Sequence, residues 1–212
     1  MTEDEIILRC KEYIKQLFEN DSTGHDYNHS IRVLNNAINI YQNEQVEANL
    51  FIIQLASLLH DVDDYKLFNT VDYENARNFL NENNIDNNLS DKIIKIISEV
   101  PFKAKDTIIP KTIEAKIVQD ADRLDAIGAI GIARAFAYGG KHNRQLYSKH
   151  ANKNNDISFE EYKKSSSDTI SHFYIKLLHL KDLMNTNYAK KEAIRRTDYM
   201  ISFLNEFYKE VD

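Results

Sequence analysis

A chain of 212 residues with 42% hydrophobic content can bury a sizeable core, and its formal charge of −6 argues against the broad basic face that nucleic-acid polymers favour. The single cysteine, Cys10, excludes an intramolecular disulfide and suits a reducing compartment. Two prolines and five glycines leave long helices few interruptions, while the best apolar run, residues 50–59, falls far short of the roughly 20 residues that a bilayer span requires.

The acidic start Met1-Thr2-Glu3-Asp4-Glu5 lacks the basic residues of a signal peptide, so a soluble cytoplasmic protein is expected. Ile6, Ile7, Cys10, Tyr13, Ile14, Leu17 and Phe18 form an amphipathic helical stripe, ended by Asn20 to Gly24. A second helix is expected from about Asp26, with Ile31, Leu34, Ala37, Ile38 and Tyr41 on one face. A third, from Val46 to His60, is apolar on most sides and therefore central. A fourth begins at Asp72-Tyr73-Glu74 and fails in the Asn-rich residues 81–88. Ser90-Asp91 is taken to cap a fifth, which Pro101 ends. Its Ile-rich run fits the helical period better than alternation. Pro110 sits where a sixth helix would start, and Ile113, Ile117, Ala121, Leu124 and Gly128 trace one face of it. Small residues from Gly128 to Ala135 let helix backbones approach closely. Gly139-Gly140 is read as a break, followed by a polar loop over 141–156 that could act as a mobile lid. Ser158-Phe159-Glu160-Glu161 resembles a capping box. Two last helices are expected, from His172 to Met184 and from Asn187 onward. The expectation is all-α: one helical-bundle domain over residues 1–212.

Some residues fit that bundle only at a cost. His60-Asp61 closes the most apolar helix, and Asp122 lies in another, within Asp120-Ala121-Asp122-Arg123-Leu124-Asp125. Buried acids and imidazoles need a partner, and with His29 upstream one divalent cation would satisfy all four. Each feature alone is weak: an HD doublet can cap a helix, and an Asp-Arg pair can be structural. A bundle core is a natural place to unite such donors from separate helices.

Asn28-His29-Ser30-Ile31-Arg32-Val33, Leu58-Leu59-His60-Asp61 and Asp120-Ala121-Asp122-Arg123-Leu124-Asp125-Ala126, continuing through Ile127 to Arg134, resemble the HD-domain phosphohydrolase superfamily. His172 to Leu178 and Met184-Asn185-Thr186 resemble a small bacterial subgroup of it, similar to nucleotide pyrophosphohydrolases. The resemblance spans nearly the whole chain. It implies an HD-type bundle with metal ligands at His29, His60, Asp61 and Asp122. It also implies that Asp64, three residues past Asp61, orients or deprotonates the attacking water. Relatives with two metals generally add histidines between the HD doublet and the final Asp. No histidine lies between His60 and His142 here, which favours one metal. Mn²⁺ is preferred, and Mg²⁺, Fe²⁺, Co²⁺, Ni²⁺ or Zn²⁺ would also suit the donors.

Lys66, Arg123 and Lys176 are candidates to hold phosphate oxygens. His25, one turn before His29, is a candidate substrate contact or a capping group. Asp120 and Asp125 are read as salt-bridge or supporting groups, while Arg134, Arg195 and Arg196 stay open between structural and surface roles. No Gly-rich phosphate loop is present, Cys10 reads as core, and His172 and His179 read as packing or surface residues on one helical face. The expected activity is hydrolysis of phosphate or phosphoanhydride bonds in nucleotides, with a (d)NTP giving a (d)NMP and pyrophosphate. The alternatives are a nucleoside monophosphate phosphatase and a non-catalytic metal- or nucleotide-binding sensor. The expected partner is a small nucleotide, with no nucleic-acid polymer and no membrane, and a homodimer is compatible with this reading.

Overall fold

The computed structural model describes residues 1–19, 26–65, 67–149 and 168–211. Among these every regular element is helical, and no strand occurs. The helices are α1 (Glu3–Leu17), α2 (Tyr27–Glu44), α3 (Leu50–Leu59), α4 (Glu74–Glu82), α5 (Asn87–Glu99), α6 (Ile113–Asp125), α7 (Gly128–Lys141), α8 (Thr169–Ile175) and α9 (Asn187–Val211). Contacts group them into two compact units, Met1–Pro101 with Ile109–Asp122, and Phe102–Ile108 with Arg123–Asp212. The boundary passes through α6, between Asp122 and Arg123.

In the first unit α3 is the hub, packing against α1, α2 and α5. Eight of its ten residues are buried, as a helix apolar on most sides requires. Asn49 starts it by accepting the Ile52 amide at 3.0 Å, and Glu114 in turn accepts the Asn49 amide at 3.0 Å. A Thr2–Glu5 capping box starts α1. Its buried stripe is Ile6, Ile7, Cys10, Ile14 and Phe18.

Several local expectations shift. The buried face of α2 runs through His29, Val33, Leu34, Ala37 and Ile40, leaving Ile31, Ile38 and Tyr41 only half-buried. That face is rotated toward His29, which the apolar pattern alone did not count. Asp86, not Ser90, caps α5, accepting the Leu89 amide at 3.1 Å. Pro110 lies outside α6, which starts at Ile113 with the Thr112 hydroxyl accepting the Ala115 amide at 3.2 Å.

In the second unit α7 packs on α8 and α9. Gly139-Gly140 does not break α7, which continues to Lys141. A Cβ on Gly139 would collide with the Thr169 hydroxyl, so glycine there permits contact with α8 rather than a turn. The helix expected from His172 to Met184 divides at Lys176 into α8 and a tighter 3-10 segment, Leu177–Leu183. His172 and His179 therefore do not share one α-helical face. Of the expected loop, residues 142–149 are non-helical, and Gln145 and Leu146 accept the Thr169 and Ile170 amides. Residues 150–156 and the capping box at Ser158 lie outside the described residues.

Candidate metal centre

Three helix segments of the first unit present the donors. Asp26 caps α2 by accepting the His29 amide at 2.8 Å, which fixes His29 in the first turn. His60 ends α3 as its C-cap and Asp61 follows. Asp122 sits in the last turn of α6, which Asn36 of α2 ties down by donating to the Ala121 carbonyl at 3.2 Å.

His29, His60 and Asp122 each turn one donor atom into a shared space, all within 4.8 Å of one another. The two Nε2 atoms are 3.1 Å apart. Asp61 Oδ2 lies 3.3 Å from His29 Nε2 and 3.4 Å from His60 Nε2. Asp122 Oδ1 lies 3.4 Å and 3.7 Å from the same two nitrogens. Donors about 2.0–2.2 Å from one cation stand about 3.0–3.5 Å apart along the edges of its coordination shell. Nearly all of these distances fall in that range. Both imidazoles are buried, and Asp122 is the more open carboxylate, its side chain 27% exposed against 12% for Asp61.

The contact behind His60 supports the same assignment. His60 Nδ1 lies 2.9 Å from the Ser57 carbonyl, which can only accept, so Nδ1 carries the proton and Nε2 keeps a lone pair for the cluster. Burial opposes protonation of His60, yet the adjacent Asp61 carboxylate, with Asp122 and the Ser57 carbonyl, raises its pKa to about 9. The two carboxylates thus favour positive charge at this point, which a divalent cation on the unprotonated Nε2 would supply. The all-N,O donor set fits such an ion.

The HD domain family matches residues 26–127, the segment carrying all four donors. An HD-superfamily hydrolase from Bacillus thuringiensis is 40% identical, with 99% of this chain and 98% of that one aligned at a TM-score of 0.76. The chain belongs to the HD-domain superfamily. A protein from Lactobacillus plantarum superposes with a TM-score of 0.87 at 33% identity, over 99% of this chain and 98% of that one. The uncharacterised YpgQ of Bacillus subtilis is 35% identical over 96% of this chain and 92% of its own length. YpgQ in complex with ADP superposes with a TM-score of 0.73 at 33% identity, over 99% of this chain and 98% of that one. The likeness to HD-superfamily hydrolases supports a hydrolase, and HD domains bind divalent metals.

The other residues singled out in the sequence have varied settings. Asp64 is half-buried, its amide bound to the Asp61 carbonyl at 3.1 Å. Arg123 is buried in the second unit, where it donates Nη1 to the Leu183 carbonyl. Lys176, also in that unit, places Nζ 4.7 Å from the Phe102 ring centre. His25 and Lys66 lie outside the described residues. Asp125 pairs with Arg134 at 2.7 Å, and Arg196 joins Glu192 at 2.7 Å and the Leu124 carbonyl at 2.6 Å. Cys10 is wholly buried, and burial pushes its thiol pKa up, as suits a core residue. The sequence reading missed Asn36 and Ser57. Only Asn36 left a signal, as a poor helix former in a helix interior.

Proposed function

We propose that the chain hydrolyses a nucleoside or deoxynucleoside triphosphate between the α- and β-phosphates, in a reaction dependent on one divalent metal, with Mn²⁺ preferred. The observation that carries this reading is the pair of Nε2 atoms 3.1 Å apart, flanked by Asp61 and Asp122. The likeness to YpgQ, crystallised with ADP, supports a nucleotide as the substrate class.

His29, His60, Asp61 and Asp122 would hold the cation. When bound, it supplies Lewis acidity, lowering the pKa of water and offsetting charge on phosphoryl oxygens. Asp64 aligns the attacking water and accepts one of its protons. The water oxygen bonds to the α-phosphorus while the bond from that phosphorus to the bridging oxygen breaks. The bonding pair leaves with pyrophosphate, and the second product is the monophosphate. His25 and Lys66 are proposed to contact the phosphate chain, since they flank the ligand and Asp64 positions in sequence. Arg123 and Lys176 remain candidates of the same kind, although the Leu183 carbonyl and the Phe102 ring already engage them.

The test is product analysis over a nucleotide panel with Mn²⁺, Mg²⁺, Co²⁺ or Ni²⁺. Equimolar pyrophosphate and monophosphate, abolished by chelation, are expected. Phosphate released only from nucleoside monophosphates, leaving the nucleoside, would move the activity to a monophosphatase. Tight nucleotide binding without turnover in any metal would make the protein a sensor.

A further inference from the structure

The metal-binding reading needs His60, Asp61 and Asp64 held precisely, yet α3 ends at Leu59. Beyond it the described backbone continues in turn bonds, Val62 to the Leu59 carbonyl at 3.3 Å, Asp64 to the Asp61 carbonyl at 3.1 Å, and Leu67 and Phe68 to the Asp64 carbonyl at 2.9 Å each. A post-helical turn of this kind does not hold ligands rigidly unless something else fixes it.

The start of α4 meets that need. Asp72 and Tyr73 both adopt left-handed backbone, φ 53° and 58°, and Tyr73 gives α4 no side-chain cap. The cap comes instead from Asp63. Its two oxygens accept the amides of Asn75 at 2.9 Å and Ala76 at 3.0 Å. Asn75 answers with its side chain, donating Nδ2 to the Val62 carbonyl at 2.6 Å. Three hydrogen bonds thus cross between residues 62–63 and 75–76 in both directions. Val62 is fully buried beside them. Tyr13 of α1 secures the far side, donating its hydroxyl to the Asn75 carbonyl at 3.2 Å and setting its ring 5.2 Å from Phe79.

We infer that the Asp63–Asn75 clamp positions the catalytic turn: Asp63 and Asn75 act through the backbone to hold Asp61 and Asp64 in their working geometry. This inference rests on the metal-binding reading above. Neither residue is proposed to touch metal or substrate. Asp63, next to the candidate base Asp64, is a positioning residue because its carboxylate is committed to α4.

Asp63→Ala removes the cap, Asn75→Ala removes the Val62 tether alone, and Asp63→Ser restores a capping acceptor. Each protein is titrated with Mn²⁺ alone, assayed for kcat and KM, and followed by amide hydrogen exchange. Both alanine variants are expected to weaken Mn²⁺ binding roughly 10- to 100-fold, the range for groups that orient metal ligands. They should lower kcat with KM little changed and lose exchange protection at residues 61–65, while Asp63→Ser recovers part of each loss. Unchanged Mn²⁺ affinity and protection in both alanine variants would overturn the clamp even if the wild type turns over. If the wild type neither binds Mn²⁺ nor turns over, the metal-binding reading fails instead. The exchange arm then still decides whether the clamp orders the turn. Should Asp63→Ala not fold, Asn75→Ala, which leaves every backbone bond in place, decides alone.

Discussion

Two imidazole nitrogens 3.1 Å apart must share either a proton or a cation, and Asp61 and Asp122 supply the anions that would hold a cation there. Replacing Asp122 with alanine is therefore expected to cost more than the roughly 10- to 100-fold in Mn²⁺ affinity that outer partners control. Elemental analysis of the purified variant checks this, and full metal content would show the site misplaced. Asp64→Asn should behave differently, keeping its metal while turnover falls roughly 10²- to 10⁴-fold, the usual contribution of a positioned base. Metal content and rate measured on the same preparation separate the two cases. The four candidate positions stood out in the sequence because acids and imidazoles in apolar helices are costly without a shared partner and because they match the HD pattern. Asp63 was not legible. It reaches amides twelve and thirteen residues away, which leave no trace in a side-chain pattern.

At the scale of the element, the glycines of α7 divide by what surrounds them. A Cβ on Gly131 would collide with the Ala126 carbonyl, whereas one on Gly140 meets nothing within 4 Å. Gly140→Ala should raise stability by about 0.5–1 kcal/mol, the helix-propensity gain, and Gly131→Ala should lower it by more than about 1 kcal/mol. Urea midpoints of the two variants check the contrast. The same surroundings explain why Gly139-Gly140 reads as a break in the sequence but lies within a helix. A glycine pair signals either a turn or a close approach, and only the position of Thr169 decides. On α9, hydrogen bonds from Arg195, joined by Arg196 and opposed by burial, lower the Glu192 pKa from 4.5 to about 2. The folded value lies below the unfolded one, so this stabilisation is fully present above about 4.5 and is lost as pH falls through about 2. Glu192→Gln should therefore be less stable than the wild type near neutrality, and the gap should close as pH approaches 2. Thermal melts across that range measure it.

At the scale of the whole molecule, the all-helical class was legible from periodicity and from scarce glycine and proline, and the Asn-rich stretches marked helix ends. Helix starts were less legible, because Asp86 and Thr112 compete with nearby residues that are equally good caps by composition. Among the described residues no helix is long and apolar enough to cross a membrane. Because the cluster gathers donors from α2, α3 and α6, a cation that binds only the folded chain stabilises it by linkage. At a hundredfold excess over its dissociation constant this amounts to about 2.7 kcal/mol. Chelation should lower the melting temperature and Mn²⁺ should restore it, with no such response in His60→Ala. The most direct test of the central claim is hydrolysis of a deoxynucleoside triphosphate in ¹⁸O-water by the Mn²⁺-loaded protein, followed by ³¹P NMR. One ¹⁸O on the monophosphate and none in pyrophosphate is the predicted result. Label in inorganic phosphate or pyrophosphate, or no turnover of a bound nucleotide, would contradict it.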